Sequence, residues 1–365
     1  MGRAYILSEV LGRHFEVELV GPMFGPGIWP AFSNAEGSNK YKFVPSNGHP
    51  SFLRTLFQVT SHITGDVVYA LKPLATSYGI ALLSKLLTCR PIILDVDDWE
   101  WGFANWRLAH SKLGLIKIRD PNWVGWTYLL DKLISKADQV TVSSTFLAQK
   151  YGGTIVPHGR DVHFLDPTRY DAKQLRLELG LSEKKVILFL GTPKIYKGIE
   201  DLIAALRLID DERNKILLVG ADQNDLFVSE LVEQAEGLLQ MVGMQPMSER
   251  PKWLAIADVV VLPQRLSPAT IGQVPAKIFD AMAMAKPIVA TAVSDIPSIL
   301  DGCGLVTPPG DLDALASKIL YVFEHPVEAA EMGMRARQTC IKRYSWDAME
   351  LALKEVVSCV AKGAE

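Results

Sequence analysis

Residues 275–291 read PAKIFDAMAMAKPIVAT, and the reading of this stretch decides the fold: a helix aimed at an anion, followed by a buried strand. Pro275 suits the first helical position, where its missing N–H is no loss. Ile278, Phe279, Met282 and Ala285 recur at helical spacing and form one apolar face, which leaves Lys277 and Asp280 together on another. Ile288, Val289 and Ala290 then read as a short strand after the Lys286-Pro287 break. Upstream, ADVVVLP (257–263) is a continuous apolar run of parallel-strand type, and residues 264–274 are the loop that joins it to the helix. A strand, a loop, a helix N-terminus and a carboxylate one turn in can hold an anionic ligand and a sugar hydroxyl. The competing reading is an ordinary βαβ unit whose Lys277 and Asp280 pair on its surface.

The chain of 365 residues is long for one core and comfortable for two. Hydrophobic content of 48% and charged content of 22% are those of a soluble globular protein. A net charge of -3 gives no reason to expect a nucleic-acid partner, which calls for a basic face. Cys89, Cys303, Cys340 and Cys359 lack metal-ligand or CxxC spacing, so reduced cysteines in the cytoplasm are expected. No apolar run approaches the ~20 residues that span a bilayer, and the first residues lack a basic segment followed by an apolar one.

Outward from the opening stretch, the first half alternates: a helix at 5–11, strands at 15–20, 41–44, 66–70, 91–96 and 139–142, and helices at 52–63, at 77–87 and ending near Tyr151. This is an α/β domain with a mainly parallel sheet. Residues 157–182 are polar and turn-rich and mark the domain junction. A second alternating series follows, with strands at 185–190, 215–220, 239–242 and 259–262, and the chain closes on helices at 312–323, 327–343 and 346–360. Two α/β domains in tandem are expected to bind ligand between them, at the carboxyl ends of their strands.

Three segments together resemble the group 1 glycosyltransferases, the retaining family with the GT-B fold of two Rossmann-like domains facing across a cleft. FLGTPKIYKGIEDLIAAL (189–206) looks like the family's strand, phosphate loop and helix. DVVVLP with GQVPAKIFDAMAMAKPIVATAVSDIPSIL and GCGLVTPPGDLDALASKI looks like its donor-site core, and VTVSSTFLAQKYGGTIVPHGRDVHFLDP (140–167) like its crossover. The resemblance implies an acceptor-side domain of residues 1–165 plus 345–365 and a nucleotide-sugar domain of 166–344. The chain starts on what looks like the helix after the usual first strand, so that strand is expected to be lacking and no strand is expected before Phe15.

The chemistry of the residues agrees. Gly191 ends a strand, and Lys197, with Lys194 as a second candidate, stands before the next helix, where a lysine and helix N–H groups can neutralise a phosphate. Relatives often have an arginine immediately after that glycine, where this chain has Thr192, so Lys194 is a candidate to supply the lost charge. Of the family's two donor-site glutamates, the ribose-binding one matches Asp280 and the sugar-binding one falls on Gly272. The sugar must then be met by backbone N–H groups of Gly272, Gln273 and Val274 and by Gln264, Arg265 or Thr270. Lys277 completes the donor set. In PIILDVDDWEW (91–101), Asp97 occupies the family's histidine position and Asp98 matches its aspartate, which makes the pair the catalytic candidates; their repulsion is expected to raise one pKa. The alternative is that Asp98 caps the following helix and Asp97 is solvated. His158 suggests a hinge.

Residues 99–126 hold Trp99, Trp101, Trp106, Trp123 and Trp126 among Arg107, Lys112, Lys117 and Arg119. Such a stretch suits peripheral contact with the inner face of a membrane, or plain aromatic packing. The implied activity is transfer of a glycosyl group, with retention, from a nucleotide sugar to a glycan or lipid-linked acceptor hydroxyl. The nucleotide sugar is a substrate, and no cofactor or metal is obligatory. A non-catalytic or truncated GT-B sugar-nucleotide-binding scaffold is the alternative; a sugar-nucleotide epimerase is disfavoured because no set of acids and histidines for proton shuttling is evident.

Overall fold

The computed structural model describes residues 2–25, 27, 40–110 and 117–362. The chain forms two compact units, Met1–His158 with Ser267–Val274 and Asp347–Glu365, and Gly159–Leu266 with Pro275–Trp346.

In the first unit, β1 (Glu18–Met23) and β2 (Lys40–Pro45) pair in parallel as a separate two-stranded sheet. A second parallel sheet has the order β3 (Val68–Leu71), β4 (Ile92–Val96), β5 (Gln139–Val142) and β6 (Thr154–Ile155). A helix spans Gly2–Leu11, and among the described residues no strand precedes Glu18, as the sequence predicts. The strand expected at 15–20 starts later because the helix ends in further turns: the N–H groups of His14 and Phe15 both donate to the Leu11 carbonyl. Ile92, Ile93, Leu94 and Val96 are fully buried, as strands covered on both faces require. Arg3 is buried as well, and its guanidinium donates to both oxygens of Asp95 and to the carbonyls of Val156 and Pro157. Paired charge of this kind makes the first helix part of the core rather than an appendage.

The second unit is built on β7 (Lys185–Leu190), β8 (Asn214–Val219), β9 (Leu239–Val242), β10 (Val259–Leu262), β11 (Ile288–Thr291) and β12 (Leu305–Thr307). They form one six-stranded sheet in the order β12-β11-β10-β7-β8-β9, with every pair parallel. Helices Ile199–Ile209, Leu226–Gln234 and Leu312–Glu324 bury Leu202, Leu206, Leu231, Leu315 and Ile319 against one face. The chain starts on β7, winds outward to β9, then returns to β10 on the other side of β7. That reversal leaves a crevice at the carboxyl ends of β7 and β10, where open α/β sheets take their ligands. The helix after β10 covers only Lys277–Ala283, and Ala285, predicted to extend its apolar face, instead turns left-handed at φ +52°. Ile278 through Ala283 are all buried, Asp280 included, so this helix presents no polar face.

Candidate functional site

The site of the second unit starts from two glycines. After β7 the chain turns at Gly191 (φ +112°), passes through a 3-10 turn at Ile195–Lys197, and starts its helix after Gly198 (φ +68°). A Cβ on Gly198 would lie 2.0 Å from the carbonyl oxygen of Pro263, the residue just past β10, so only glycine lets these two strand ends approach.

Lys197 and Lys277 converge there. Lys197 donates its ammonium to the Thr192 carbonyl. Lys277 reaches back from the helix after β10 until its Nζ lies 3.6 Å from the centre of the Phe189 ring and beside Gly191. That ammonium is closed to solvent and has no hydrogen-bond partner among the described residues. Burial, and next the charge of Lys197, push the Lys277 pKa well below the ordinary lysine value, against the pull of Asp280. Two ammonium groups held together around a strand end, one without an acceptor among the described residues, form a site suited to an anion.

Asp280 turns toward a different set of partners. Arg160 donates Nε to its Oδ1 at 2.6 Å and Nη2 to its Oδ2 at 3.3 Å, and Arg250 donates Nη1 to the same Oδ1. Burial alone would push the carboxyl up; the two guanidiniums outweigh it and hold Asp280 below its ordinary value. The surface pairing of Lys277 with Asp280 considered from sequence is therefore not what forms. Neither arginine carried a signal in the sequence, since nothing in HGRD or SERPK distinguishes them from solvated side chains.

The other predicted donor residues separate. Lys194 is half-exposed and lies 3.7 Å from Asp225. Arg265 is committed to Asp201 at 2.6 Å and reaches Glu200 at 3.4 Å, both in the first turn of helix Ile199–Ile209. Gln264 is buried at the end of β10, where its carbonyl accepts from Thr291 Oγ1 and its Nε2 has no partner among the described residues. Thr270, Gly272, Gln273 and Val274 belong to the first unit. Thr270 and Val274 are buried, and Thr270 Oγ1 bonds Ser267. The Gly272 carbonyl accepts from Ser144 Oγ at 3.0 Å, and a Cβ there would lie 3.1 Å from the Phe146 ring, so the lack of a side chain is matched to its surroundings.

In the first unit Asp97 and Asp98 follow β4, and the residue that organises them was missed. Lys72, just past β3 and left-handed at φ +66°, places its Nζ 2.6 Å from Asp98 Oδ2, 2.6 Å from Glu100 Oε1 and 3.3 Å from Asp97 Oδ1. Gln273 Nε2 donates to the other oxygen of Asp98 at 2.9 Å. Asp98 thus does not spend its side chain on a helix cap. The Lys72 pKa is raised because the three carboxylates outweigh burial; the acid pushed up is Glu100, chiefly by burial. His158 is buried at the last position of this segment of the first unit.

Of the tryptophans, Trp99 packs on Phe146 at 5.5 Å and Trp101 on Tyr128 at 4.9 Å, while Trp126 is 43% exposed. Lys112 lies outside the described residues. Among the described residues no helix is long and apolar enough to cross a membrane, and no group of three or more His, Cys, Asp or Glu residues could hold a metal ion.

Residues 184–325 match the family model described as Glycosyl transferases group 1. Over 220 residues the chain is 30% identical to a D-inositol 3-phosphate glycosyltransferase of Xylanimonas cellulosilytica, covering 57% of this chain and 51% of that protein. Over 258 residues it is 23% identical to a GDP-mannose-dependent monoacylated alpha-(1-6)-phosphatidylinositol monomannoside mannosyltransferase of Corynebacterium glutamicum, covering 64% and 67%. These matches span about half to two thirds of the relatives' own lengths. Among solved structures, Anabaena HepE in complex with UDP and glucose superposes with a TM-score of 0.75 at 19% identity, covering 98% of this chain and 96% of that one. A sucrose-phosphate synthase from Thermosynechococcus elongatus gives 0.73 at 19%, covering 99% and 93%. At such identities the structural matches establish the GT-B fold.

Proposed function

We propose, for a chain whose residues 184–325 match the model of the group 1 glycosyl transferases, that it moves a glycosyl group from a nucleotide sugar to an acceptor hydroxyl. One observation carries the reading: the buried, acceptorless ammonium of Lys277 beside Lys197, at the carboxyl end of β7. A diphosphate supplies the missing negative charge, and it is also the leaving group of the transfer. As the sugar–phosphate bond breaks, charge builds on the β-phosphate oxygens, and fixed ammonium groups in a water-poor site stabilise it more than they stabilise the intact donor. N–H groups at the start of helix Ile199–Ile209 add to this, and Lys194 is a more distant contributor.

Asp280 takes the ribose, because its Oδ2, which accepts a single bond of 3.3 Å from Arg160, retains capacity to accept from a ribose hydroxyl. Gln264, with a spare amide N–H at the end of β10, is the best-placed side chain of the second unit for the sugar. In the first unit, Asp97 is the group offered to the acceptor hydroxyl, with Lys72 and Asp98 fixing its position. Retention of configuration and a glycan or lipid-linked acceptor follow the family resemblance. One relative is named for GDP-mannose and a structural neighbour is solved in complex with UDP, so both bases are compared in the test below.

A second reading is a sugar-nucleotide-binding protein without turnover. It is favoured by Gly272, whose surroundings have little room for the acid expected there. Titration with UDP-, GDP- and ADP-sugars, followed by assay of nucleoside diphosphate release in the presence of acceptors, separates the two. Binding with release supports transfer, and binding without release supports the second reading.

A further inference from the structure

The charge of Asp280 is spent in an unusual way for a group meant to meet a ligand. Arg160 grips it with two N–H groups and is itself fixed, Nη1 donating to the Gly159 carbonyl at 3.0 Å and Nη2 to the Ala276 carbonyl at 2.7 Å. Its backbone is held as firmly: Arg160 N donates to the Tyr344 carbonyl, and Trp346 N donates to the Arg160 carbonyl, both at 2.9 Å. Arg160 is 4% exposed and Asp280 also 4%. Oδ1 of Asp280 accepts two donors, filling its lone pairs, while Oδ2 accepts a single long bond of 3.3 Å. One oxygen is therefore saturated and oriented, and the other, which Arg250 does not touch, retains capacity.

We propose that Arg160 is a positioning residue that sets the preference of this site for ribose, by holding Asp280 so that Oδ2 alone faces the cis-diol of a nucleoside diphosphate. The inference rests on the reading of Asp280 as the ribose carboxylate. Neutralisation by two guanidiniums keeps that carboxylate ionised despite its burial, so Oδ2 acts only as an acceptor and demands a hydroxyl donor from the ligand. Without Arg160 the carboxylate keeps Arg250 but is free to rotate about its Cβ–Cγ bond, and the hydroxyl contact loses its fixed direction. The phosphate part of binding, at Lys197 and Lys277, does not pass through Arg160.

The test is titration calorimetry with the tighter-binding of UDP and GDP and with its 2′,3′-dideoxy counterpart. In the wild type the ribonucleotide binds about tenfold or more tighter, the size of a hydrogen bond to a charged group. In Arg160→Met the ratio falls toward one while affinity for the dideoxy nucleotide stays; in Arg160→Lys, which keeps the charge but not the two-pronged grip, the ratio is intermediate. A merely structural role weakens both nucleotides alike and leaves the ratio, which overturns the proposal. If Arg160→Met does not fold, an unchanged ratio in Arg160→Lys overturns it equally. A wild-type ratio near one removes Asp280 from the ribose and the proposal with it, leaving the phosphate site standing. Absence of binding by both UDP and GDP refutes the nucleotide reading itself.

Discussion

Replacing Lys277 by methionine separates stability from function, because the two effects have opposite signs. Without ligand, the ammonium sits closed to solvent, over a ring and beside a second lysine, with no acceptor. An unsatisfied buried polar group costs roughly 1–3 kcal/mol, and more when charged. Methionine has similar length and no charge, and it suits contact with Phe189. Lys277→Met should therefore stabilise the ligand-free protein by roughly 1–3 kcal/mol, which raises its melting temperature by about 2–4 °C per kcal/mol for a domain of this size. The same change removes a charged hydrogen-bond donor worth about 1.5–3 kcal/mol to a diphosphate, so affinity for UDP or GDP should fall roughly ten- to hundredfold. Thermal denaturation with and without nucleotide reads both effects in one experiment. A ligand-free variant less stable than wild type, or one with an undiminished nucleotide-induced shift, refutes the reasoning.

Three further outcomes follow from the same geometry. The folded pKa of Lys277 lies below its unfolded value of 10.5, so between the two the unfolded chain binds the extra proton and ligand-free stability rises with pH relative to Lys277→Met, which urea denaturation of both proteins at a series of pH values measures. Gly198→Ala places a Cβ 2.0 Å from the Pro263 carbonyl at φ +68°, and should cost about 1–2 kcal/mol from backbone conformation alone plus the steric clash, read by urea denaturation. Lys72→Met leaves Asp97, Asp98 and Glu100 without their shared cation and should destabilise by about 3 kcal/mol at neutral pH. In the wild type the stabilisation by Lys72, whose pKa is raised above 10.5, is fully present below that value and is lost only as pH rises through the raised one.

Strands of the second unit were legible because burial on both faces writes them as unbroken apolar runs such as VILFL and VVVL. The Gly191–Lys197 loop was legible too, since glycine and lysine at a strand-to-helix turn have a local meaning. What was not legible is whatever depends on distant partners. Lys277 reads as one charge on a helix face, and only tertiary structure turns it inward over Phe189. Arg160 lies 120 residues from Asp280 in the chain, and no periodicity links them. Lys72 likewise comes from the end of a different strand than the carboxylates it gathers. The start of β1 was misplaced because alternation in FEVELV looks like a strand from Phe15, while the helix-ending turns claim Phe15 through Leu11.

The central claim is that the carboxyl end of β7 receives the diphosphate of a nucleotide sugar. Calorimetric titration of the wild-type protein with UDP-, GDP- and ADP-sugars tests it most directly. The account predicts saturable binding of at least one of them at a single site, weakened at least tenfold in Lys277→Met; no binding of any of the three, or equal binding by wild type and variant, contradicts it.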